Sequence, residues 1–207
     1  MSEDTKQRIV EAAHGRLFTQ GYGATRLEQI ASDVGITKKT LYLHFRSKQE
    51  IMRAAIKYGS TLWLGQAEQI ITNPERTFPE KFRALSEHAV LTMRARERAF
   101  DEPLGKRVGQ AELKELANQS IRNRVVGVLR VMLEQGIELG LLRDDIEVER
   151  TSYALLNMVT GLAQLSTFED VPFSASQLLS ASLRMLRRGL LTEDGLATLS
   201  DQTDDGA

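Results

Sequence analysis

The 207-residue sequence has no cysteine. That removes disulfide scaffolds, thiol nucleophiles and thiolate-held zinc or iron–sulfur sites together. Histidine is nearly as scarce. His14, His44 and His88 stand far apart, so neither a metal site nor a cofactor is expected. Proline is limited to 4 residues, and no run approaches the roughly 20 apolar residues that a membrane-crossing helix needs. The polar start MSEDTKQR has no apolar secretory stretch behind it, so the chain is expected in the cytoplasm and away from membranes. Also missing are a phosphate-cradling glycine loop, a dinucleotide-binding glycine turn, a nucleophile elbow and carboxylates paired at a useful helical spacing. Glu97, Asp101 and Glu102 come nearest to an acidic pair and read as a solvated loop. Catalysis is therefore not expected.

What is present is helix-forming. The hydrophobic share of 42% excludes a disordered chain, and apolar residues recur at helical spacing almost throughout. Ile9, Ala12, Ala13 and Leu17 form a first stripe that Gly21-Tyr22-Gly23 ends. Thr25 and Glu28 fit a capping box for a second helix, with Leu27, Ile30, Ala31 and Val34 on its apolar face and Gly35 as its stop. Thr37 caps a third, with Leu41 and Phe45 facing inward, and Ser47 with Glu50 opens a fourth that Asn73-Pro74 breaks. That fourth helix carries Ile51, Ala54, Ala55, Tyr58 and Leu62. Further stripes run over residues 82–93, 113–140, 150–167 and 174–190. The tail from Thr192 holds five acidic residues and no basic ones, and is expected to be disordered. The expected fold is all-α, with no strand. A three-helix domain spans residues 1–46, a larger helical bundle 47–191, and the tail 192–207.

Function concentrates near the N-terminus. Two short helices that turn at Gly35, with small Ala31 allowing close approach, have the shape of a helix-turn-helix. Between Gly35 and Gln49 the charged residues are Lys38, Lys39, Arg46 and Lys48, with no acid. The net charge is −1 overall, so this +4 segment leaves −5 on the rest of the chain. A cationic element on an acidic body turns that element toward phosphate. Tyr42 lies one step off the apolar stripe and offers its hydroxyl to a phosphate. Lys48 falls in the first turn of a helix, where a cation is mildly unfavourable and asks for a negatively charged partner.

Phe18, Gly21-Tyr22, Thr25, Ile30-Ala31, Val34-Gly35, Lys38, Thr40-Leu41-Tyr42, His44-Phe45 and Ser47-Lys48 together resemble the TetR family of transcriptional regulators, most clearly in the string TLYLHFRSK. The resemblance covers about the first 55 residues closely. It implies that Lys38, Lys39 and Thr40 face base edges, where a lysine most often meets guanine O6 and N7. It implies that Thr25, Thr37, Tyr42, His44 and Lys48 hold the DNA backbone.

The resemblance further implies a homodimer on a palindromic operator, paired through the last two helices, here with Leu155, Met158, Leu162, Leu179, Leu183 and Leu186. It implies a small-molecule pocket among the middle helices, for which Trp63, Phe82, Met93, Phe100, Met132 and Phe168 are the lining candidates. Their character points to an apolar or aromatic effector that releases a repressor from DNA. An activator, or an architectural DNA-binding protein of the same fold without an effector, is the alternative.

Overall fold

The computed structural model describes residues 3–100, 119–165 and 171–201, and among these it holds nine α-helices and no strand. They are α1 (Glu3–Ala24), α2 (Leu27–Val34), α3 (Lys38–His44), α4 (Lys48–Thr72), α5 (Phe78–Ala99), α6 (Gln119–Glu138), α7 (Val148–Leu165), α8 (Ala175–Leu190) and α9 (Glu193–Asp201). The all-α expectation holds. The chain divides into two compact units, Met1–Trp63 with Thr92–Asn118 and Leu64–Leu91 with Gln119–Ala207.

The first unit is built on one core. Ile9, Ala13 and Leu17 of α1, the whole stripe Leu27, Ile30, Ala31 and Val34 of α2, and Leu41 and Phe45 of the α3 region are all buried in it. The boundary expected at residue 46 falls inside this unit, because α4 adds Ile51, Met52, Ala55 and Ile56 to the same core. The buried face of α4 is rotated from the expected stripe: Met52 and Ile56 replace Ala54 and Tyr58, which are half-buried, and Leu62, which is 41% exposed. Ala99 and Phe100 complete the core, the Phe100 ring standing edge-on to Phe18 at 6.3 Å.

Local chemistry sets the turns. Gly21 adopts φ 83° and ψ 168°, a region open essentially to glycine alone, and breaks α1 there. Gly35 adopts the left-handed φ of 73°, and Ile36 N–H donates back to Ala31 O at 2.9 Å, closing α2. Arg8 donates to the Val34 carbonyl at 2.7 Å, satisfying one of the orphan acceptors at the end of α2. Arg16 pairs through two nitrogens with Asp33, fastening α1 to α2 and holding the Asp33 carboxyl below its ordinary pKa.

In the second unit the buried set includes Leu64, Ala67 and Ile71 of α4, Phe78 of α5, Val125, Val128 and Met132 of α6, Leu156 of α7 and Leu179 of α8. Arg124 of α6 pairs with Glu68 of α4 at 2.8 Å. The segment after α6 is tied to the segment after α8: Arg143 N–H donates to Leu190 O at 2.9 Å and Thr192 N–H to Leu141 O at 3.1 Å. The Thr192 hydroxyl reaches Gly140 O at 2.8 Å.

The tail corrects an expectation. Residues 193–201, expected to be disordered, form α9 with Leu199 only 5% exposed. Thr192 accepts from Gly195 N–H at 3.0 Å and so caps the helix. Glu193 and Asp194 occupy its first turn, where negative charge favours a helix, so the acidity read as a sign of disorder stabilises its start.

Candidate nucleic-acid interface

The α2–α3 pair has the helix-turn-helix arrangement. Ala31 and Val34 share a core with Leu41 and Phe45, which turns the opposite side of α3 outward. Thr37 caps α3, its hydroxyl oxygen accepting from Thr40 N–H at 3.1 Å. The capping box expected at Thr25 and Glu28 is displaced by one residue: Arg26 stands at the N-cap of α2 and Gln29 accepts from its N–H at 3.3 Å. An arginine side chain has no acceptor, so the reciprocal arm is missing.

Lys38, Lys39, Tyr42 and Leu43 are exposed on α3, and His44 is half-buried in its last turn. Lys38 forms an ion pair with Glu28 of α2, which raises the lysine pKa and lowers that of the glutamate. The Thr40 hydroxyl lies 2.9 Å from that of Thr37. Lys48 meets an acceptor within the protein. Its ammonium donates to Tyr22 O at 2.7 Å and sits 4.4 Å above the centre of the Tyr22 ring. Thr25 departs from the expected set. It is fully buried, its hydroxyl donates to Gly21 O at 2.7 Å, and it presents no side-chain group to a phosphate.

Residues 9–55, which hold all of this geometry, match the family model for bacterial regulatory proteins of the tetR family. The chain is a TetR-family transcriptional regulator. Among its relatives, it is 20% identical over 183 residues to the fatty acid metabolism regulator protein of Bacillus subtilis, covering 88% of this chain and 94% of that one. It is 24% identical over 200 residues to the transcriptional repressor KstR2 of Mycolicibacterium smegmatis, covering 92% of each. The solved structure of SmeT, repressor of the multidrug efflux pump SmeDEF of Stenotrophomonas maltophilia, shares the fold at a TM-score of 0.61 and 19% identity, over 92% of this chain and 94% of that one. Regulation of transcription, not catalysis, is the work of this family. Among the described residues of the regulator, no helix is long and apolar enough to cross a membrane.

The expected effector-lining residues fall in both units. Trp63, Met93 and Phe100 belong to the first unit, where Phe100 is part of the N-terminal core. Phe82 and Met132 belong to the second, with the Phe82 ring tilted against that of Phe78 at 6.1 Å and Met132 buried. Phe168 lies outside the described residues. The second unit instead has an open cleft of about 360 Å³ lined by Gln66, Gln69, Ile70, Asn73, Arg76 and His88. None of the expected residues lines it.

The expected pairing residues need one correction. Leu179 is fully buried within a single chain, so it serves the regulator's own core and is not available to a partner. Leu155, Met158, Leu162, Leu183 and Leu186 are half-buried. Among the described side chains of these two helices, the large apolar ones exposed to solvent are Tyr153 at 38% and Met185 at 75%, both missed by reading the leucine stripe. The signal available in the sequence was Met185 itself, an apolar residue on the side of α8 away from that stripe.

Proposed function

We propose that this regulator is a repressor that holds a palindromic operator as a homodimer and is released by a small apolar or aromatic effector. The observation that carries the DNA-reading part is the outward face of α3: a helix anchored by Leu41 and Phe45 exposes Lys39, Tyr42 and Leu43, in a +4 segment without acids. In this reading Lys39 meets base edges, Lys38 and Thr40 reach them after leaving Glu28 and Thr37, and Thr37, Tyr42, His44 and Lys48 hold phosphates. Residues 1–46 carry recognition, and residues 47–191 carry effector binding and pairing. Residues 192–207 take no part in either.

Pairing is assigned to α7 and α8, which carry half-buried Leu155, Met158, Leu162, Leu183 and Leu186 together with exposed Tyr153 and Met185. One short helix reads only a few base pairs, and a two-fold dimer doubles the site. Release requires that the effector bind the state without DNA more tightly than the state that holds it. Helix α4 is unbroken from Lys48 to Thr72 and belongs to both units, so it is the covalent route for that coupling. The relatives named for fatty acid metabolism and for a multidrug efflux pump support an apolar effector.

Selection of duplexes from a randomised pool tests the reading. Enriched sequences should be palindromic, with half-site centres about 34–36 Å or somewhat more apart. Medium- and long-chain fatty acids added to the selected complex should release it. Enrichment of single, non-repeated sites would refute the dimeric reading, and retention at saturating fatty acid would refute that effector class.

A further inference from the structure

The side chains of α3 are distributed by the helical advance of about 100° per residue. With Leu41 directed into the core, Lys39 and Leu43 fall about 20° to either side of the outward direction. Lys38 and Tyr42 lie to one flank, where Lys38 meets Glu28 of α2. Thr40 and His44 lie to the other, where Thr40 meets Thr37. The centre of the outward face thus belongs to one cation and one leucine, a turn apart on the same side of the helix.

Leu43 is 61% exposed, more open than any other described leucine, isoleucine or valine of the first unit. Its side chain has no donor or acceptor, so it cannot hold a phosphate oxygen. On the floor of a major groove the apolar group available to it is the C5-methyl of thymine, while the other base-edge groups there are hydrogen-bond donors and acceptors. We propose that Leu43 is a base-reading residue that packs on a thymine methyl in each half-site. This rests on α3 entering the operator as described under the proposed function. Lys39 and Leu43 are about 6 Å apart along the helix axis, and base pairs rise by about 3.4 Å, so the thymine lies about two base pairs from the base read by Lys39. The operator is specified at that position by shape and apolarity, with no hydrogen bond from Leu43.

Replacing thymine by deoxyuridine deletes the methyl and leaves the pairing edge unchanged. The probe is the duplex enriched by the full-length chain from a randomised pool, remade with deoxyuridine at one thymine at a time. Burying one methyl is worth about fourfold in affinity, from about 0.8 kcal/mol per group. The expected result is one thymine per half-site whose replacement weakens binding about fourfold. The sensitivity should vanish in Leu43→Ala and persist in Lys39→Ala. Leu43 is exposed, so Leu43→Ala should keep its helix content, which circular dichroism checks. Selective binding that is indifferent to deoxyuridine at every thymine would overturn the assignment of Leu43, as would a methyl effect that survives in Leu43→Ala. Failure to enrich any sequence would overturn the operator-binding reading itself.

Discussion

Replacing Lys48 by methionine separates its contact with Tyr22 from the phosphate contact proposed for it. The substitution keeps an apolar stem of similar length and removes the ammonium. The ammonium makes a charge-assisted hydrogen bond to Tyr22 O at 2.7 Å, in a partly buried setting, and lies 4.4 Å above the Tyr22 ring centre. A hydrogen bond from a charged group contributes about 1.5–3 kcal/mol, with the lower end appropriate to partial burial. A half-buried cation over an aromatic ring contributes about 0.5–1 kcal/mol. Against these, removing a cation from the first turn of α4 relieves about 0.3–1 kcal/mol of unfavourable interaction with the helix dipole. The net loss is about 1–2 kcal/mol. For a chain of this size that lowers the melting temperature by about 3–6 °C. In the complex, the same substitution removes one phosphate contact per half-site. Affinity should fall alike on all duplexes, and the slope of log affinity against log salt should flatten by about 0.9 per contact. Calorimetric melting and a salt titration on the selected duplex read the two effects independently. An unchanged melting temperature would show that the Tyr22 contact contributes nothing to the fold. An unchanged salt slope would show that Lys48 touches no phosphate.

Three further outcomes follow from other parts of the molecule. Met185→Lys should leave helix content near wild type while sedimentation shows monomers, because Met185 is 75% exposed in a single chain, whereas Leu179→Lys should abolish the fold of the second unit; dimers of Met185→Lys as tight as wild type would place the pairing surface elsewhere. His14 packs against Phe18 and Tyr58, and its burial lowers its pKa from 6.5. The folded ring is then neutral where the unfolded one already binds a proton, so stability should fall as pH drops below about 6.5, and urea unfolding of His14→Gln should show a shallower decline; parallel curves for the two proteins would contradict this. In Gly195→Ala the new Cβ collides with the Leu141 carbonyl oxygen, so amide exchange over residues 193–201 should accelerate, and an unchanged protection pattern would mean that α9 does not depend on that close approach.

Much of the fold is legible locally. The stripe Leu27, Ile30, Ala31 and Val34, the stop at Gly35 and the cap at Thr37 are where the sequence places them, because each depends on residues within four positions along the chain. The recognition helix is legible for the same reason, with its inward Leu41 and Phe45 and its exposed Lys39 and Tyr42. Periodicity states which side of a helix is apolar but not what covers it. The partner of Lys38 is ten positions away on α2, and that of Lys48 is twenty-six positions away at Tyr22. Thr25 looks like an exposed cap in the sequence and is buried because the break at Gly21 turns its hydroxyl onto that residue's carbonyl. Leu179 and Leu183 share one stripe, yet the first is fully buried and the second half-buried, since neighbouring helices shield one and not the other. The acidic tail forms a helix because Thr192 caps it and Gly195, lacking a side chain, admits the Leu141 carbonyl. The sequence alone determined helices α1 to α8, most of their ends and the cationic segment, all short-range properties of the chain. Tertiary structure decided which polar groups are already engaged and which apolar ones remain open, because both depend on groups brought together only by folding.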